Sequence, residues 1–183
     1  MNSMKKHVFI ILCLVLSLLT LPALAINHYQ IDTEALKALE KTDTFDLRIT
    51  RKVITDGANS ADIRNQDILS FELSSSSDAN ITSIVITCAA HDENGAAQQL
   101  MNGGLSAIRL GTEARRLTDI TFTTKEASPG AVFTLSQPCD HSQFTGVRAI
   151  VREYTTDSGA VVVNPLFEAW QEEALGRPTH ILD

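Results

Sequence analysis

The chain has 183 residues, with 22 acidic against 15 basic side chains and a formal charge of −7. A surface of that sign repels phosphate backbones and anionic lipid headgroups, which argues against nucleic-acid and membrane partners. Aromatic residues make up only 5% of the chain, and Phe45, Phe71, Phe122, Phe133 and Trp170 fall at positions that read as core, so a glycan-stacking platform is not expected. Tyr154 is the aromatic expected at the surface.

At the N-terminus Lys5 and Lys6 precede an apolar run over 8–21, and Pro22 with Ala23-Leu24-Ala25 forms the small-residue pattern that a leader peptidase reads. Residues 1–25 are therefore expected to be a signal peptide cleaved after Ala25. The run is shorter than the about 20 residues a bilayer span needs and is interrupted by Ser17. Cys13 follows Leu12 rather than a small residue, which is not a lipid-attachment pattern. Cleavage leaves 158 residues with 13 basic and 22 acidic side chains, a formal charge of −9 and no stable membrane span. Export places the chain in the secreted or envelope-associated class. The remainder divides into a helical segment at 26–44 and a domain at 45–183.

Residues 26–42 read as a short helix that Asp32 caps, with Glu34 in the first turn and Ile31 stapled onto Leu36. Few apolar positions support it, which predicts loose docking. From Phe45 the period shortens to two: Phe45, Leu47 and Ile49 alternate with Asp46, Arg48 and Thr50 until 56–60 break the pattern. Leu69, Phe71 and Leu73 continue it over 68–73. The longest expected strand, 81–91, sets Ile84, Ile86 and Cys88 on one face and Val85, Thr87 and Ala89 on the other. Asp92-Glu93-Asn94-Gly95 follows as a hairpin turn.

Further short strands are expected at 105–110, 120–124 and 132–138. The stretch 144–154 alternates Val147, Ala149, Val151 and Glu153 against Arg148, Ile150, Arg152 and Tyr154. Asp157-Ser158-Gly159 then turns the chain into a returning strand at 161–163. The last element is a helix, with Asn164 as cap, Pro165 in its first turn, an apolar stripe of Leu166, Phe167, Trp170 and Ala174, and Gly176 and Pro178 as terminators. Seven or eight short strands at roughly ten-residue spacing predict an all-β fold, a β-sandwich with a short helix at each end.

Cys88 and Cys139 are the two cysteines left after the leader, an even count in a compartment that permits oxidation, so a Cys88–Cys139 disulfide is expected. Such a bridge constrains the unfolded chain by about 4 kcal/mol. Cys88, His91, Cys139 and His141 together supply four ligand types for zinc. Cys88 and His91, three apart in a strand, point to opposite faces, which favours the disulfide over a metal. Asp92, Glu93 and Asn94 lack the spaced ligands of a calcium loop. Asn80-Ile81-Thr82 is a formal glycosylation sequon. Residues 104–108 lack the closing glycine of a nucleophile elbow, and Asp140 beside His141 has no identifiable nucleophile to serve.

The run from Val151 through Tyr154 and Thr155-Thr156-Asp157-Ser158-Gly159 to Asn164-Pro165-Leu166-Phe167-Glu168-Ala169-Trp170, with the hairpin at 84–95, resembles an uncharacterised extracellular domain of exported Gram-positive bacterial proteins. The resemblance covers about residues 68–178. It implies an immunoglobulin-like or related small sandwich in the cell envelope, and it carries no catalytic residues. No cofactor and no enzymatic activity are expected. The leading expectation is an exported domain that binds an unidentified protein or envelope component through its surface. The alternative is a metal-linked or hydrolytic exported enzyme built on Cys88, His91, Cys139 and His141.

Overall fold

The computed structural model describes residues 29–57, 66–98, 100 and 117–178. The expected leader at 1–25 and the expected strand at 105–110 lie outside the described residues. In chain order the elements are β1 (Tyr29–Gln30), α1 (Thr33–Thr42), β2 (Leu47–Thr55), β3 (Asp67–Ser75), β4 (Ile81–His91), β5 (Ala97–Gln98), β6 (Thr118–Ala127), β7 (Val132–Cys139), a 3-10 turn (His141–Gln143), β8 (Gly146–Thr156), β9 (Val161–Val163), α2 (Phe167–Leu175) and β10 (Arg177–Pro178). The fold is mainly β, as the alternation predicts. One antiparallel sheet runs β2–β3–β7. In the second, β4 is central, with β6 and then β5 along one edge, β8 along the other and β9 outside β8.

Alternation explains why the two sheets pack face to face. Leu69, Phe71 and Leu73 of β3 turn inward with Leu47 of β2 and meet Ile84, Ile86, Cys88 and Ala90 of β4 and Ala149 and Val151 of β8 in one core. Phe71 lies edge-on to Phe122 with centroids 6.3 Å apart. Fully burying each large aliphatic or aromatic side chain contributes about 1.5–3 kcal/mol. Both expected hairpins form. Gly95 (φ 81°) and Gly159 (φ 83°) occupy the left-handed positions of their turns, and the Asp92 carboxylate accepts from the N–H groups of Asn94 and Ala96.

Because β4 and β8 are also apolar on their second face, that face needs a cover, and the two helices supply it. Ala89 and Ile150 join Ile31, Leu36, Trp170 and Ala174 in a second core. The expectation of loose docking for the N-terminal helix is thereby corrected: Leu36 is fully buried, and α1 packs on both α2 and β8. Asp32 caps α1 as expected, accepting from the N–H of Ala35 at 2.9 Å. Trp170 anchors α2. Gly176 ends α2 at φ 69°, and a Cβ there would stand 2.5 Å from the Gln30 carbonyl oxygen. That crowding marks where β10 pairs with β1, Tyr29 opposite Pro178, bringing the two ends of the described chain together.

Two further expectations are corrected by local geometry. Arg152 is an extra residue in β8, since Val85 faces Glu153 while Ile86 faces Val151. This bulge reverses the inside-outside order, so Tyr154 turns into the core with 3% exposure instead of facing solvent. Its hydroxyl donates to Asp46 Oδ2 at 2.7 Å, and burial raises its pKa above the usual tyrosine value. The released Arg152 pairs with Asp119 at 2.7 Å and lies over the Phe167 ring. Asn164, expected to cap α2, stands three residues before its first residue, Phe167, and is buried. Its Oδ1 accepts from the N–H of Leu166, while its Nδ2 donates to the Val151 carbonyl and to Asp43. Among the described residues, no helix is long and apolar enough to cross a membrane.

Candidate functional site

The cysteine and histidine quartet does not come together. Cys88 and Cys139 are free thiols in opposite sheets, so the expected disulfide is corrected. Cys88 lies at the centre of the inter-sheet core, where burial pushes its thiol far above the usual range. Cys139 ends β7, and burial, with Asp67 and Asp140 adding, pushes its thiol up to about 11. His91 packs on Gly146, whose Cβ would meet the ring at 2.5 Å, and its Nδ1 is 2.9 Å from the Asp92 carbonyl oxygen. His141 lies beside Phe144, the rings tilted with centroids 5.4 Å apart. The Asp140 carboxylate caps the 3-10 turn at the N–H of Ser142. Among the described residues, no group of three or more His, Cys, Asp or Glu side chains could hold a metal ion.

A different cluster has the geometry of a site. Strand β9 covers β8 over 153–155, and among the described residues the outer edge of β8 from 147 to 152 has no strand neighbour. Backbone groups there still require partners. Glu40, near the end of α1, supplies one: its Oε1 accepts from the N–H of Ala149 at 3.1 Å. Its Oε2 lies 2.7 Å from Lys52 Nζ of β2 and 3.6 Å from Arg148 Nη1 of β8. One carboxylate thus joins the helical layer to both sheets. Asn164 closes the next positions through the Val151 carbonyl and through its own N–H to the Arg152 carbonyl.

Beside this junction is a cleft of about 420 Å³, lined by Glu40, Lys41 and Asp43, by residues 48–52 of β2 and by residues 149–151 of β8. Its charges are unbalanced. Both Glu40 oxygens are engaged, and Asp43 accepts from the Phe45 N–H and from Asn164. Lys37, Lys52, Arg148 and Arg152 are ion-paired, whereas Lys41, Arg48, Arg51 and Lys125 have no carboxylate partner among the described residues. All of these except Lys125 line the cleft.

A second bulge arranges them. Ile49 faces Leu73 while Arg51 faces Glu72, so Thr50 is the extra residue of β2. Residues three apart in a regular strand point to opposite faces. Here Arg48 and Arg51 stand opposite Ser74 and Glu72, which share a face, so both arginines lie on the outer side of the sheet. Lys52, opposite Phe71, turns to the inner side toward Glu40. Sequence reasoning did not single out the cations at 41, 48, 51 and 52; their density in an otherwise acidic chain is the signal that could have found them, whereas the bulge that sorts them leaves none.

Fold and cleft define a two-sheet sandwich with a helical outer layer and one surface recess opposite in sign to the chain as a whole. No family model matches the chain, and no curated protein matches it. Among solved structures it is similar to a hypothetical protein of Peptoclostridium difficile 630, with a TM-score of 0.54 and 14% identity over 75% of this chain and 95% of that one. At that identity the likeness is one of fold.

Proposed function

We propose that the chain is an exported, non-enzymatic binding module that works in the cell envelope or extracellular space by surface contact with a protein or envelope component. The basic residues, apolar run and Ala23-Leu24-Ala25 pattern of the leader support export. The single observation that carries the binding reading is the set of cations without an ion pair among the described residues, Lys41, Arg48 and Arg51, gathered along one cleft of an acidic chain. Cations so placed attract and orient a partner of opposite sign. A placement among immunoglobulin-like or related domains of exported Gram-positive proteins rests on the junction from Asn164-Pro165 to Trp170 and belongs to the same proposal.

The test is co-sedimentation of the purified protein with envelope isolated from its source cells. Binding is expected to fall as salt rises and to drop at least about fivefold in the double variant Arg48→Glu, Arg51→Glu. Equal sedimentation of wild type and variant at every salt concentration refutes the proposal. Intact mass of the exported protein checks the other half, with residue 26 expected as its first residue.

A further inference from the structure

We infer that the cleft takes an extended acidic peptide, laid along the free edge of β2 with its carboxylates on Lys41, Arg48 and Arg51. This rests on the binding-module reading above and names the partner's chemistry.

Three observations combine. The first is the edge itself: among the described residues β2 has β3 as its one strand neighbour, which leaves its other edge without a paired strand, and five consecutive residues, 48–52, line the cleft. An added strand is the ligand shape that uses a row of alternating N–H and C=O groups. At about 3.3 Å per residue, five positions span roughly 17 Å, the length of a short peptide segment. The second is charge. Among the described residues the cleft's own carboxylates are spent on internal partners while three of its cations have no ion pair, which makes carboxylates the complementary groups. The third is the Thr50 bulge, which sets Arg48 and Arg51 on one face, three residues apart along the strand instead of two or four. Bulges are a recurrent means of re-aiming side chains next to functional sites.

The same charges select against other strands. Basic side chains on an edge strand blunt pairing with neutral or basic edges, so the strand they admit is an acidic one. A long polyanion such as a nucleic acid gains little from a recess this short and meets the net negative field of the rest of the chain. Burial of the cleft floor does not depend on Arg48 or Arg51, which are exposed, so both can be reversed without disturbing either core.

The experiment is fluorescence anisotropy with the purified full-length exported protein and labelled hexapeptides of alternating Glu and Val or of alternating Lys and Val. A third peptide is the Glu-Val sequence N-methylated at alternate residues. The Glu-Val peptide is expected to bind, with affinity falling as salt rises, and the Lys-Val peptide is not. N-methylation, which removes strand hydrogen bonds, is expected to weaken binding at least about tenfold. The double variant Arg48→Glu, Arg51→Glu is expected to weaken it by a similar factor, while still unfolding in one cooperative transition well above the assay temperature, since the cost of a glutamate at position 51 opposite Glu72 falls on the surface and not on either core. Equal binding of the Lys-Val peptide, of the N-methylated peptide or by the double variant overturns the inference, as does tighter binding of a labelled oligonucleotide. If the Glu-Val peptide fails to bind while envelope binding still depends on Arg48 and Arg51, the peptide is refuted and the binding module stands. If envelope binding is also indifferent to the double variant, both readings fall.

Discussion

Replacing Glu40 with alanine tests the interlayer junction directly. Glu40, Lys52 and Arg148 have side chains only 16%, 22% and 21% exposed, so the pair geometry is mostly desolvated. Deleting one member of a buried ion pair costs about 3–5 kcal/mol, because the remaining charges stay desolvated without a partner. Partial exposure lets water recover some of this, while the Ala149 N–H loses its acceptor at a further cost of about 1 kcal/mol or more. The net expectation for Glu40→Ala is about 3 kcal/mol of destabilisation. In a domain of this size that lowers Tm by roughly 6–12 °C. Glu40→Gln keeps an acceptor for Ala149 and loses only the charge, so it is expected to cost about half as much. The assay is urea denaturation followed by circular dichroism, reading the midpoint at constant slope. In a double-mutant cycle with Lys52→Met, the second substitution is expected to recover part of the loss, since it removes one stranded cation. An alanine variant within 0.5 kcal/mol of wild type, or a glutamine variant as damaged as the alanine one, would refute the reasoning.

Tyr154→Phe removes the donor to Asp46 and is expected to cost about 1–2 kcal/mol in the same denaturation assay. Gly176→Ala places a Cβ against the Gln30 carbonyl at positive φ and is expected to cost about 2 kcal/mol, loosening β1 and β10 first, which hydrogen exchange at Gln30 and Ile31 reads. Asp67 accepts from the N–H groups of Gly57 and His141, and those bonds, Gly57 first, hold its carboxyl below the usual aspartate value. Because the folded pKa is the lower one, the contribution is complete above the unfolded value and is lost as pH falls through the folded one. An NMR titration is expected to find an Asp67 midpoint below that of an unstructured aspartate. Alkylation of denatured, unreduced protein is expected to label both Cys88 and Cys139, whereas the native protein near neutral pH resists labelling at the buried Cys88.

Strands were legible wherever one face is dry and the period is uninterrupted. Leu69, Phe71 and Leu73 carry the signal in β3, and β4 could be assigned face by face because Ile84, Ile86 and Cys88 alternate with Val85, Thr87 and Ala89. Turns were legible from Gly95 and Gly159, whose backbone demands are local. What failed depends on more distant information. Tyr154 was assigned to the wrong face because one bulged residue, Arg152, inverts every position after it, and nothing in composition marks a bulge. The N-terminal helix looked weakly apolar because Leu36 and Ile31 need only a few partners when Trp170 and Ala174, some 140 residues later, complete the layer. The expected disulfide came from counting cysteines, and a count carries no distance between the two sheets. In the cleft, the clustering of Lys41, Arg48, Arg51 and Lys52 was missed because only its density in the sequence marked it, and their division into an outward pair and an inward partner for Glu40 required the register of β2 against β3.

The pairing of β1 with β10 has a kinetic corollary. A contact that joins Tyr29 to Pro178 closes a loop of nearly the whole described chain, and loop closure of that size comes late in any folding order governed by chain entropy. The two helices share this schedule, since each completes its burial only against the other. The outermost layer therefore stays unlatched until the segment from α2 to β10 is available to meet α1 and β1.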